Sequence, residues 1–252
     1  MNGNSFNPVI SADGRYVVFE SDATNLVADD INGNRDIFRK DLQTGITELV
    51  SIDWLGTGSN ANSHDPVVNG DGRHVAFWSI ASDLVAADNG GYRDVFVRDM
   101  QAGVTTLVSA DSLGNQGSNL SIRPAISDDG RYVAFDSDAS NLVADDGNGS
   151  RDVFLKDSQS GVFVRASTNT VGTEGNSTSE LADLGDDGRY VVFSSGASNL
   201  VAGDTNVATD VFLKDLQTGE TVRISTDSRG NEADGFSATC GRPSLSADGR
   251  FI

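Results

Sequence analysis

Asp-Gly dipeptides recur at a nearly fixed period, at Asp13-Gly14, Asp71-Gly72, Asp129-Gly130, Asp187-Gly188 and Asp248-Gly249, spaced 58, 58, 58 and 61 residues apart. Each lies between two short apolar runs, the strongest local signal for a β-hairpin. Each is followed by Arg, and in the four full copies the next run ends in Phe19, Phe77, Phe135 or Phe193. A third run recurs as Asp36-Ile37-Phe38 and then as Asp-Val-Phe from Asp94, Asp152 and Asp210. In the third copy the unit reads as strands over residues 124–127, 132–137, 152–157 and 162–167, with its second turn at Ser160-Gly161. Two hairpins make one four-stranded antiparallel sheet. Second strands such as Tyr16-Val17-Val18-Phe19 are apolar on both faces, which fits a sheet sandwiched between neighbours.

A fixed period of this size with paired hairpin turns predicts the blades of a β-propeller. A β-helix needs a shorter rung, and a β-sandwich does not repeat its sequence so closely. The expected fold is all-β, with four-stranded antiparallel blades at about 1–58, 59–116, 117–174 and 175–235 and the start of a fifth over 236–252. Asn2, Asn4 and Ser5 align with Asn60, Asn62 and Ser63 of the link between the first two copies, so the register starts within a link. With four strands already owned by the first copy, the final residues have no vacancy to fill. An open partial propeller is expected, a piece of a larger one whose signal peptide lies upstream of Met1. The uncovered faces of its terminal blades, with Val17 and Phe19 on one of them, make self-association an expectation.

The element running from Pro124 through Ile126-Ser127, Asp129-Gly130-Arg131-Tyr132-Val133 to Phe135, followed by Asp152-Val153-Phe154 and Asp157, resembles the WD-like propeller repeat of TolB-like bacterial proteins. The fourth copy departs from it, with Ala182 where the others have Pro8, Pro66 and Pro124. The resemblance implies an exported protein, periplasmic or extracellular, that serves as an interaction platform.

Charge narrows the partner. The net charge is −19, and the acidic residues are 31 Asp against 6 Glu. Such a surface repels phosphate and anionic lipid, which argues against nucleic acid and membrane-surface attachment. No run approaches the length of a membrane span. The preference for Asp suits turns, Asx motifs and hard-cation sites. The single cysteine, Cys240, permits no internal disulfide.

Catalytic signatures are missing: there is no nucleophile elbow, zinc-binding His-Glu-x-x-His or phosphate-binding loop. His64 and His74 are single occurrences, as are Trp54 and Trp78. The Asp29-Asp30, Asp128-Asp129 and Asp186-Asp187 pairs recur with the repeat, as do Arg15, Arg73, Arg131, Arg189 and Arg250. Recurrence marks a structural role, because an active site needs one asymmetric constellation. The arginines are read as partners of turn carboxylates or as snorkelling stems.

Elaboration is confined to one end of the sheets. The Asp-Gly turns and Thr44-Gly45, Ala102-Gly103, Ser160-Gly161 and Thr218-Gly219 are tight, whereas residues 22–35 and links such as 52–65 are long. Long loops without secondary structure are commonly functional. Leu26-Val27, Leu84-Val85, Leu142-Val143 and Leu200-Val201 are expected to pin the loops over the blade edges. Before each third strand the loop alternates oxygen donors: Asp30, Asn32, Asn34, Asp36; Asp88 and Asp94 alone in the second copy; Asp146, Asn148, Ser150, Asp152; and Asp204, Asn206, Asp210. This resembles the front of a calcium loop without its Gly and terminal Glu. Two readings stand: calcium sites ranked first copy, third, fourth, second, or Asx turns without metal. The leading function is a non-enzymatic scaffold binding a protein or glycan on the long-loop face. The alternative is the propeller portion of a secreted carbohydrate-active lyase or hydrolase whose catalytic residues lie outside this sequence.

Overall fold

Each copy of the repeat folds into the same sheet. The computed structural model describes residues 2–28, 30–86, 88–206, 208–235, 237 and 241–252. Met1, Asp29 of the Asp29-Asp30 pair and Cys240 lie outside the described residues. The first blade comprises β1 (Ser5–Ile10), β2 (Tyr16–Ser21), β3 (Asp36–Asp41) and β4 (Thr47–Leu49); the second, β5 (Ser63–Val68), β6 (His74–Ser79), β7 (Asp94–Asp99) and β8 (Val104–Leu107). The third has β9 (Ser121–Ile126), β10 (Tyr132–Ser137), β11 (Asp152–Asp157) and β12 (Phe163–Arg165); the fourth, β13 (Ser179–Leu184), β14 (Tyr190–Ser195), β15 (Asp210–Asp215) and β16 (Thr221–Arg223). All four sheets are antiparallel with strands in sequence order, and no helix occurs among the described residues. The first strands β1, β5, β9 and β13 neighbour one another and line the inside of the arc.

Two strand limits differ from the expected ones. The inner strand begins at Ser121 rather than Pro124, because pairing resumes on the far side of a bulge, with Ile122 opposite Asp136 and Ser121 opposite Ser137. The outer strand shrinks to Phe163–Arg165. The links are also not structureless. Each opens with a small hairpin closed by a single bridge: Ile52–Gly58, Ala110–Gln116, Thr168–Glu174 and Thr226–Glu232.

The core sits between blades, not within them. Val18, Ile37 and Val50 of the first blade meet Val75, Phe77, Leu84 and Phe96 of the second. The next junction joins Ala76, Val95 and Val108 to Val133, Phe135, Leu142 and Phe154, and the last joins Val153, Leu155 and Ala166 to Val191, Phe193, Leu200 and Phe212. Each blade therefore offers small and β-branched residues to the blade after it and a pair of Phe rings to the blade before it, with centroids 5.8–6.0 Å apart. The loop leucines Leu84, Leu142 and Leu200 are buried in these junctions. Among the described residues no blade packs against the outer side of the first. There Val17, Phe19 and Leu26 are only half-buried, whereas Val75, Phe77 and their later counterparts are fully buried.

The Asp-Gly turns carry a second constraint. Gly72, Gly188 and Gly249 have φ of 67–75°, and a Cβ on them would come within 2.1–2.4 Å of the rings of Tyr16, Tyr132 and Tyr190 in the preceding blade. Glycine is needed both for the turn and for the approach. The repeated arginine that follows forks onto the carboxylate ending the third strand: Arg15 on Asp41, Arg73 on Asp99, Arg131 on Asp157 and Arg189 on Asp215, at 2.6–2.7 Å. The final segment repeats the turn without becoming a strand, the Ser246 N–H donating to the Phe251 carbonyl. It leans on the fourth blade, where Leu245 N–H donates to Asp183 and Asp186 N–H to the Ala247 carbonyl. Among the described residues it makes no hydrogen bond to the first blade, and the arc is open.

Candidate functional site

One column of the repeat departs from ordinary backbone geometry. Asn7, Asp65, Arg123 and Leu181, one per inner strand, have φ of 48°, 48°, 55° and 60°. Non-glycine residues occupy this region at a cost of about 1–2 kcal/mol, least for Asn and Asp. Each sits at the bulge where the inner strand slips against the second strand. The slip turns the N–H of the bulged residue toward the preceding blade. Asp65 N–H donates to Glu20 Oε2 (3.1 Å) and Leu181 N–H to Asp136 Oδ2 (3.0 Å).

These residues surround a cavity of about 680 Å³, lined also by Glu180 and by Arg242 from the corresponding place in the fifth repeat. Arg242 reaches the Arg123 and Pro124 carbonyls, both at 2.9 Å. Arg123 is held by Glu180 at 2.6 Å and Asp136 at 3.3 Å. On the other side Trp78 donates to Asp65 (2.8 Å), stacks on His64 at 4.4 Å and lies under the Arg93 guanidinium. Burial lowers the His64 pKa, against the raising effect of Glu20. Two long-loop arginines are held by loop aspartates: Arg35 forks onto Asp22, and Arg151 onto Asp138. The side chains that differ from blade to blade thus converge on the inside of the arc, while the repeated ones hold the blades.

Asp136 is the most perturbed member. It is fully buried, its Oδ1 has no hydrogen-bond partner among the described residues, and burial pushes its pKa up to about 6 despite Arg242 and Arg123. Burial raises Asp94 to about 6 as well. A carboxylate raised in this way stabilises the fold below its unfolded pKa, and that contribution is lost as pH rises through the folded value. The Arg forks hold Asp41, Asp99, Asp157 and Asp215 well below the usual range, so their contribution is present above the unfolded pKa and lost as pH falls. The melting temperature should therefore fall from about pH 4 to about pH 6.5. Asp136→Asn should flatten that fall, and an unchanged slope would show that Asp136 does not titrate there.

The loops before the third strands follow a different plan. In every blade the first residue of the third strand is buried and accepts a bond from a serine at the end of the sheet: Ser51 to Asp36, Ser109 to Asp94, Ser167 to Asp152 and Ser225 to Asp210. Asn32, Asn148 and Asn206 brace the loop. Their amides donate to Asp36, Asp152 and Asp210, and their oxygens accept the N–H of Asn34, Ser150 and Ala208. Asn34 donates its side-chain amide to the Ser59 carbonyl, and Ser150 contributes its N–H to this turn. The structure thus brings together the aspartates at the two ends of each loop and gives the residues between them a bracing role. Three blades supply a partner for the pair. Gln116 donates to Asp88 (3.0 Å) and Asp94 (2.6 Å). Arg165 lies 3.5, 3.4 and 2.6 Å from Asp146, Asp152 and Glu174, and Arg223 lies 3.5, 3.7 and 2.8 Å from Asp204, Asp210 and Glu232. In the first blade Leu49 and Gly58 occupy those two columns. Asp30 is 3% exposed, neither of its oxygens has a partner among the described residues, and burial with Asp36 nearby raises it to about 6.

No protein-family profile matches the chain, and no curated protein matches it. Solved structures do. TolB from Acinetobacter baumannii superposes with a TM-score of 0.53 at 18% identity, covering 88% of this chain and 43% of that one. A putative TolB from Agrobacterium tumefaciens gives 0.54 at 19%, covering 90% and 64%. An oligogalacturonate lyase solved with manganese gives 0.56 at 17%, covering 98% and 57%. The chain thus spans between about two-fifths and just under two-thirds of the length of these neighbours. At such identities the likeness speaks for architecture, and in architecture this chain is similar to the TolB-like β-propellers.

Proposed function

We propose that the chain is a non-enzymatic propeller scaffold that takes a protein or glycan partner on its long-loop face, around the cavity ringed by Asn7, Asp65, Arg123 and Leu181. One observation carries this reading. A strained position repeated in four blades bears four different side chains, and strain retained at such a place is a mark of function. A mixed lining of Asn, Asp, Glu and Arg beside Pro, Val and Leu suits a polar partner with one apolar element, such as a peptide or a sugar. Its compartment is the periplasm or the extracellular space, as the repeat implies, and fractionation of cells carrying the whole gene checks this. A glycan array and a displayed peptide library, each probed with the chain, test the binding. A selected ligand should lose about tenfold in affinity on Arg123→Asn, which introduces the first blade's own residue at the same φ. Unchanged affinity would move the site elsewhere.

A second reading, the propeller portion of a carbohydrate-active lyase or hydrolase, draws support from Asp136, because a strongly perturbed carboxylate beside a cavity is typical of acid–base sites. Turnover of polyuronate or neutral oligosaccharides by this chain, abolished by Asp136→Asn, would establish it over the scaffold. Self-association belongs to the proposal too, through the half-covered face of the first blade. Val17→Lys should shift the chain toward monomer in sedimentation, and an identical distribution would exclude that face.

A further inference from the structure

We propose that the Asp30–Asp36 pair of the first blade holds one small hard cation, calcium by the match of its donors, in the place that the third and fourth blades give to a guanidinium. The repeats supply the comparison. Arg165 and Arg223 put a nitrogen 3.4–3.7 Å from both aspartates of their pairs, and the Gln116 amide bridges the pair in the second blade. Leu49 and Gly58 offer nothing charged or polar in the same columns of the first blade. Asp30 is nonetheless buried, with both carboxylate oxygens unpartnered among the described residues. A buried charge without a partner is unfavourable, and such groups are paired or bind metal.

The donors are all carboxylate oxygen, which selects calcium over softer metals. Two carboxylates also match one divalent charge. Asp30 can offer both oxygens; Asp36 Oδ1 accepts from Ser51 and Oδ2 from the Asn32 amide, and the second lone pair of Oδ2 is left for the ion. Water would complete the shell. The other blades need no metal, because a protein side chain already bridges their aspartates.

Thermal unfolding of the chelator-treated chain, with and without calcium, tests the assignment. Calcium at about a hundredfold excess over its dissociation constant should raise the melting temperature by about 5–10 °C. Leu49→Arg supplies the missing guanidinium from the register position of Arg165, opposite the third-strand Phe. It should melt no lower than the parent without calcium and should lose the calcium response. Asp30→Ala should also lose the response, whereas Asp204→Ala should keep it, which separates the site from diffuse attraction to an acidic surface. Equilibrium dialysis should find one tightly held calcium per parent chain. No bound calcium in the parent, or a full response in folded Leu49→Arg, would overturn the proposal.

Discussion

Phe135→Ala should destabilise the protein by about 3–5 kcal/mol, the usual range for emptying a buried aromatic site. Phe135 is fully buried, packs with its ring tilted against Phe154 and Phe163, and faces the second blade at a junction with Val95 and Val108. The repeat supplies the control. Phe19 occupies the same column and stacks on Phe38, but no blade among the described residues covers it and it is only half-buried. Phe19→Ala should cost roughly half as much or less, because the area removed from water is smaller. Chemical denaturation of the two variants measures the difference. Equal losses would mean that the first blade is covered in solution, by a second copy or by another segment.

Arg165→Met is the second large effect expected. Arg165 is 8% exposed at its side chain and stands among Asp146, Asp152 and Glu174, whose oxygens lie within 4.8 Å of one another. Removing the cation from a buried pair leaves uncompensated charge and costs about 3–5 kcal/mol. Three carboxylates left facing one another should then recruit a metal, so calcium should restore part of the lost stability in this variant. Denaturation with and without calcium checks both points. A stability loss that calcium does not touch would show that the three oxygens cannot converge on an ion.

The repeated columns were the ones legible in the sequence. Asp-Gly pairs, Phe19 and its counterparts, and the Asp-Val-Phe runs each state a turn, a packing partner or a strand start four times over, so register and blade count followed from them. The arginines after the turns read as partners of turn carboxylates or as snorkelling stems, and Arg15 forks onto Asp41 at the start of the second turn. Less visible was anything carried by non-repetition. The bulge at Arg123 leaves no mark in composition, because the left-handed residue differs in each blade and only the following proline recurs, in three of them. In the sequence the loop aspartates group with the residues alternating between them, yet what partners Asp146 lies about twenty residues on, at Arg165. Comparing the columns of Leu49, Leu107, Arg165 and Arg223, and of Gly58, Gln116, Glu174 and Glu232, would have exposed it. Those columns read as a featureless outer strand and link until the sheet brings them over the loop.

Hydrogen exchange of the chain with and without a selected peptide or glycan is the most direct test of where the partner sits. Protection is expected over the inner strands β1, β5, β9 and β13 and over the long loops ending at Arg35, Arg93 and Arg151. The tight turns at Thr44-Gly45, Ala102-Gly103 and Ser160-Gly161 should exchange as before. Protection confined to those turns or to the Asp-Gly hairpins, with the inner strands unchanged, would contradict the scaffold as described.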